Sequence, residues 1–320
     1  MDVAITTLTS PAVLFFLLGA LAAFARSDLQ FPDALAKGLS IYLMVAIGLK
    51  GGVAVSASGF SAELAAAAVA GLVLSFLLPL PAFALLRSVG KLSSLNAGAV
   101  AAHYGSVSVV TFVTATEILA RQSLAPAGYM VAVLALMETP AIVTGLLLAR
   151  RGGDTAPSGG SLAHEVLLNA SVVLLVGSFA IGLIAGPTGV EPVKPLFDGL
   201  FRGLLALFLL DMGLVAGRRL LESRSLTPVL AGLAIVLPLI NGAIGVAVGV
   251  LIGLDTGSAA ALGILAASAS YIAVPAAMRL ALPRADPGLY LGMSLGVTFP
   301  FNIIIGIPLF AALARAMSAA

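Results

Sequence analysis

The chain alternates between long stretches almost free of charge and short polar or Pro/Gly-rich breaks. Ten apolar stretches stand out, at roughly 10–25, 37–55, 62–86, 95–118, 127–149, 165–185, 200–217, 228–252, 258–280 and 288–314. Most come near the ~20 residues that a helix needs to cross a bilayer. None alternates strictly as a barrel strand does, and lipid admits only helices or closed barrels. The pattern predicts an all-α integral membrane protein with ten transmembrane helices. The first stretch ends in Ala23-Phe24-Ala25, faintly like a signal-peptidase site. No Lys or Arg precedes it, so it is read as an uncleaved span.

Composition removes the alternatives. Of the 320 residues, 60% are hydrophobic and 9% charged, whereas a soluble domain carries about 25% charge. Cysteine is absent, which excludes disulfides, thiolate metal sites and cysteine catalysis. A net charge of +2 gives nucleic-acid binding no support. The positions of the charges carry more. Odd-numbered connections hold Arg26, Lys37, Arg87, Lys91, Arg150, Arg151, Arg218, Arg219, Arg224, Arg279 and Arg284, eleven of the 16 basic residues. The other side holds Lys50, Arg121, Lys194, Arg202 and Arg315. The positive-inside bias then predicts a multi-pass protein of the cell (inner) membrane, odd connections cytoplasmic and both termini outside.

The halves also resemble each other. Lys37-Gly38-Leu39 and Gly48-Leu49 return 165 residues later as Arg202-Gly203-Leu204 and Gly213-Leu214. At the same offset Gly98-Ala99-Val100-Ala101-Ala102 meets Gly263-Ile264-Leu265-Ala266-Ala267, and after a five-residue shift Glu138-Thr139-Pro140 meets Thr298-Phe299-Pro300. Five helices per copy require the second copy to be inverted. The expected organisation is a first repeat over 1–150, a short cytoplasmic linker over 151–164 and a second repeat over 165–320. Inverted repeats mark secondary transporters, with the substrate near mid-membrane where two helices break.

Two spans carry polar stretches at equivalent positions: His103-Tyr104-Gly105-Ser106-Val107-Ser108 in the fourth and Ser268-Ala269-Ser270-Tyr271 through Pro275 in the ninth. Neither makes a good continuous helix, and Pro275 lacks a backbone donor. Either stretch could instead bond back to its own helix or join neighbouring helices; their symmetry favours a binding site. Crossed, broken helices would aim positive half-helix N-termini at one point. Backbone N–H groups and the hydroxyls of Ser106, Ser108, Ser268 and Ser270 could then hold a small anion without a basic side chain. Glu138, mid-span in the fifth stretch, is the carboxylate for a hard cation such as Na⁺. Thr139, Thr298 and Asn302 are its neutral companions. The alternative for Glu138 is a protonated side chain bonded to a neighbouring helix. His103 could be a satisfied donor or couple protonation to transport, and Tyr104 and Tyr271 could gate or pack. Asp211 could pair with Lys50 or across a subunit interface.

At these residues the chain resembles the sodium-dependent bicarbonate transporter family, the SbtA type known from cyanobacteria. The likeness is densest in Gly203–Gly213, Glu138–Thr144 and Leu265–Leu309, and extends over nearly the whole length. It implies ten spans as a five-plus-five inverted repeat, with broken, crossing fourth and ninth helices. It also implies an elevator mechanism with a scaffold and a moving core, a homotrimer, and bicarbonate import with Na⁺. Bicarbonate would lie between Gly105–Ser108 and Ser268–Ser270, and Glu138 stands where the family has aspartate. The chain departs from the family in the bulk of His103-Tyr104, in Tyr271 in place of an acid, and in Phe299 and Phe301. The family's long central loop is reduced to about Arg150–Glu165, which argues against its PII-like regulatory partner.

Other functions remain open on the sequence. A related Na⁺/H⁺ antiporter would need acids in the breaks, which have none. Tyr104, Tyr271 and Phe299 could line a roomier site for an organic or bile acid. A channel or sensor lacks a signalling domain among the short loops. An enzyme has no recognisable motif.

Overall fold

The computed structural model describes residues 9–59, 61–150, 170–222 and 225–319. The expected linker over 151–164, Arg151, Arg224 and the side chain of Arg279 lie outside the described residues. Among the described residues the chain is helical, without strands, as an all-α membrane protein should be. Seven helical segments are long and apolar enough to cross a membrane. Two further apolar helices, Pro11–Phe24 and Thr256–Ala267, are shorter. Phe201–Glu222 spans 22 residues but carries Arg202, Asp211 and Arg218–Arg219.

Two close pairs form one part of the molecule. Helix α1 (Pro11–Phe24) and helix α2 (Asp33–Ser58) are followed by α3 (Ala62–Leu77), α4 (Pro79–Ser88), α5 (Ser94–Gly105), α6 (Val109–Arg121), α7 (Met130–Met137) and α8 (Pro140–Arg150). Helix α9 covers Ala170–Val190 and α10 covers Phe201–Glu222. The tightest pairings are α1 with α10 and α2 with α9, and both are made by glycine. A Cβ at Gly19 would overlap the Leu210 carbonyl oxygen, and one at Gly213 that of Phe16. A Cβ at Gly52 would overlap the Phe179 carbonyl, and one at Gly182 that of Leu49. Small residues let membrane helices meet backbone to backbone, where dispersion and lipid release replace the missing hydrophobic drive. Near its end α9 turns at Gly186, whose φ of 64° only glycine takes up cheaply before Pro187.

The remaining helices pack around α5 and α12 (Thr256–Ala267). Every residue from Ala97 to Gly105 and from Gly257 to Ala267 is buried, as expected of helices apolar on all sides. Gly98 packs on Ala149 of α8, whereas Gly263 packs on Val246 and Gly242 of α11 (Pro228–Leu251). Helix α13 (Ala273–Ala281) follows the second break, and α14 (Pro287–Ser318) contains two widened π turns, Gly292–Thr298 and Asn302–Gly306.

Candidate functional site

Both polar stretches interrupt their helices. Helix α5 ends at Gly105, and α6 starts at Val109 with Ser108 as its cap, the hydroxyl oxygen accepting from Thr111 N at 3.2 Å. Helix α12 ends at Ala267 and α13 starts at Ala273. Pro275 is therefore in the first turn of α13, where a missing N–H costs nothing; it opens a helix rather than breaking one. The two breaks are tied directly. Ser108 N donates to Ser268 Oγ at 3.0 Å, and Ser270 N donates to the His103 carbonyl at 3.0 Å.

These bonds divide the four serines. Ser106 gives its hydrogen to the Glu138 carbonyl at 2.8 Å, and Ser268 gives its own to the Leu265 carbonyl at 2.7 Å. Their hydroxyl protons are spent. The Ser108 oxygen accepts from the Thr111 amide and hydroxyl, and the Ser270 oxygen accepts from Val274 N at 3.4 Å. Accepting leaves the Ser270 hydrogen free to turn toward a ligand, while the Ser108 hydroxyl lies beside the Tyr271 hydroxyl, to which it can donate. These are the two serines that line a narrow cavity of about 10 Å³, room for about one water, together with Val107, Val109, Glu138, Tyr271 and Ile272. Its walls are the starts of α6 and α13, whose first amides have no intrahelical acceptor.

Glu138 is buried, and its Oε2 has no hydrogen-bond partner. No Lys or Arg among the described residues pairs with it, and an isolated buried carboxylate is costly. Its position comes from a residue that sequence reasoning missed. Ser75 of α3 donates to the Met137 carbonyl at 2.8 Å and accepts from Ala141 N at 3.2 Å. Those two groups would bond each other in an unbroken helix, so Ser75 is inserted into the ladder. Glu138 and Thr139 occupy the opening between α7 and α8, with Pro140 beginning the next helix. A serine opposite a Thr-Pro was the available signal.

Other expected site residues lie outside the cavity wall. Tyr104 donates to Thr298 Oγ1 at 2.7 Å, because Thr298 spends its own hydrogen on the Ala234 carbonyl at 2.6 Å. His103 Nδ1 donates to the Ala99 carbonyl at 2.7 Å and its ring stacks on Tyr290. Thr139 is part-buried beside Glu138, and Gly105 and Ala269 are buried backbone positions in the breaks. Asn302 donates to the Ala267 carbonyl at 2.9 Å, closing the end of α12. Asn241 of α11 does the same for α5 through the Tyr104 carbonyl at 3.1 Å. Both amide oxygens remain without a partner. Lys50 pairs with Asp198 at 2.8 Å and lies over the Phe201 ring, so it is not the partner of Asp211.

The two ends of the molecule differ. A crevice of about 420 Å³ runs between α2, α10 and the second break, and its floor includes Tyr271 and Ile272, which also line the cavity. At the far end a depression lined by Lys50, Phe112, Glu117 and Phe201 shares no residue with the cavity. There Arg202 of α10 pairs with Glu117 of α6 at 2.7 Å, and Arg121 joins at 3.0 Å. Arg202 and Arg219 are separated by about 25 Å of helix. A buried aromatic line, Phe16–Phe299–Tyr271, runs from α1 to the second break with ring centroids 5.3 and 5.2 Å apart.

Among the described residues no three His, Asp or Glu side chains converge as a transition-metal site would need. A single carboxylate among backbone and hydroxyl oxygens fits a hard cation instead. A family model, the Na⁺-dependent bicarbonate transporter superfamily, matches residues 11–315. No curated protein matches the chain significantly.

Proposed function

The chain belongs to the Na⁺-dependent bicarbonate transporter superfamily, and from that premise we propose that it imports bicarbonate or a similar small anion together with Na⁺ by alternating access. The cavity between the two breaks carries the reading. It joins the Glu138 carboxylate, two helix-half N-termini and the Ser108 and Ser270 hydroxyls, with no basic side chain among the described residues of its wall. The N-terminal amides with Ser108 and Ser270 hold the anion. Glu138 and nearby oxygens hold Na⁺ as cargo.

Coupling follows from charge. Two negative charges about 4 Å apart at an effective dielectric of ~20 repel by about 4 kcal/mol. That factor of ~1,000 keeps the anion out until a cation has neutralised Glu138. A Na⁺/H⁺ antiporter is disfavoured because the wall holds one acid rather than two.

The same reading treats the chain as ten crossings in an inverted five-plus-five repeat. In support, α1–α10 and α2–α9 cross through the same reciprocal glycine contacts. Those four helices act as the scaffold, and the bundle around α5 and α12 as the moving element. One-sided access supports alternation: the crevice end, rich in Lys and Arg, is the cytoplasmic end, and Arg202–Glu117 holds the other end together.

Uptake of labelled bicarbonate into proteoliposomes, with and without an inward Na⁺ gradient, tests the proposal. Gradient-dependent accumulation is expected. Uptake indifferent to Na⁺ would overturn symport, and Na⁺-driven accumulation of another anion alone would replace the substrate.

A further inference from the structure

The crevice has a charge asymmetry that the cavity lacks. Its lining includes Lys37 and Ser40 on α2 and Arg219 on α10, and no carboxylate. Lys37 has no ion-pair partner among the described residues, while Arg219 has only Glu222 at 3.7 Å, one turn further along its own helix. The neighbouring Arg218 is committed elsewhere, donating to the Leu29 carbonyl at 2.7 Å. Two cations on facing helices thus stand at the mouth of a mainly apolar crevice. Its floor, Tyr271 and Ile272, is also the wall of the Glu138 cavity.

We infer that the mouth of this crevice is a second, weak anion site, formed by Lys37, Arg219 and the Ser40 hydroxyl, through which a small oxyanion leaves once Tyr271 yields. The inference rests on the transport reading for the identity of the anion, but its geometry does not. Low-dielectric walls focus the field of the two cations along the crevice, raising the local anion concentration. The cations are exposed and act at range, so the effect weakens as salt screens it. An anion released from neutral dipoles would meet formal positive charge only on the way out, which favours departure over return to the cavity.

The chain has no cysteine, so Ser40→Cys supplies a single thiol for a measurement that does not depend on transport. The full-length variant in nanodiscs of zwitterionic lipid is treated with anionic and cationic methanethiosulfonates, each rate normalised to that of a free thiol. At low ionic strength the anionic reagent should react roughly tenfold faster than the cationic one, within the range for focused charge. That preference should vanish in Lys37→Gln/Arg219→Gln and shrink in high salt. Equal rates for the two reagents, or a preference that survives the double substitution, would overturn the site. Because both positions are exposed, the substitutions leave the fold intact. If bicarbonate uptake fails while the charge preference holds, the transport reading falls and the anion site stands.

Discussion

The two breaks follow similar segments, Gly98–Ala102 and Gly263–Ala267, and are built differently. The first spans three residues, Ser106–Ser108, all buried, and its following helix is capped by Ser108. It is pinned by Ser106 to Glu138 and by Asn241 through Tyr104. The second spans five, Ser268–Ile272; the helix after it has no side-chain cap at Ile272, and Ile272 is 41% exposed on the crevice. Charge is unequal too. Glu138 stands beside the first break, whereas its counterpart Thr298 is occupied by Ala234 and Tyr104. In the proposed reading, the first break is a fixed seat for the cation and the second is the yielding side. The packing of Gly98 on α8 and Gly263 on α11 makes the same point.

The sharpest way to break this comparison is Glu138→Ala. Removing the one carboxylate among the described residues of the cavity wall should cost about 3 kcal/mol of cation binding, roughly a hundredfold in apparent Na⁺ affinity. Unchanged Na⁺ dependence of uptake would dissolve the assignment of the charged seat. Ser75→Ala should come next. With the wedge gone, Met137 and Ala141 can re-form their helical bond, and Glu138 is displaced. An approximately tenfold loss of Na⁺ affinity with little loss of melting temperature is expected, because one bond replaces two. Ser75→Thr should restore it, and a purely structural Ser75 would lower stability without moving Na⁺ affinity.

The serines sharpen the comparison within each break. Ser268→Ala strips the Ser108 amide of its partner and should destabilise by about 1–2 kcal/mol, seen as a lower melting temperature. Ser270→Ala should instead raise the bicarbonate KM by about fivefold, near 1 kcal/mol, with a smaller effect on melting. Equal behaviour of the two variants would erase the division between structural and ligand-facing hydroxyls. The smallest effect belongs to Glu117→Gln at the far end. A partly exposed ion pair contributes under about 1 kcal/mol. A cysteine placed near Phe112 should become about twofold more accessible from that face, and no change would remove the pair from any role in closure.

Much of this was legible because lipid leaves so few choices. The apolar stretches coincide with helices wherever they are described, and the polar stretches at 103–108 and 268–275 do interrupt them. Val107, Ser108, Ser270, Tyr271 and Glu138, expected from pattern and resemblance, do meet around one cavity. What pattern could not supply was the fate of individual hydrogens. Ser106 and Ser268 look like Ser108 and Ser270 until their partners are known, and for Ser106 that partner is 32 residues away. The same holds for Lys50 with Asp198. Another signal was present but unread: Gly48-x₃-Gly52 and Gly213-x₃-Gly217 repeat at the same 165-residue offset and form the close crossings. Pro275 misled because a proline reads alike at the end of one helix and in the first turn of the next.

No basic side chain among the described residues pairs with Glu138, and that bears on energetics across the membrane. In a carrier of the proposed kind, the unloaded core with an ionised glutamate bears a net negative charge. Its return from the inner to the outer side is then drawn by an inside-negative potential, by up to about 2.3 kcal/mol per 100 mV for a complete traverse. Voltage, as well as the Na⁺ gradient, would set the turnover of the empty protein, and a neutral residue at this position would uncouple the two.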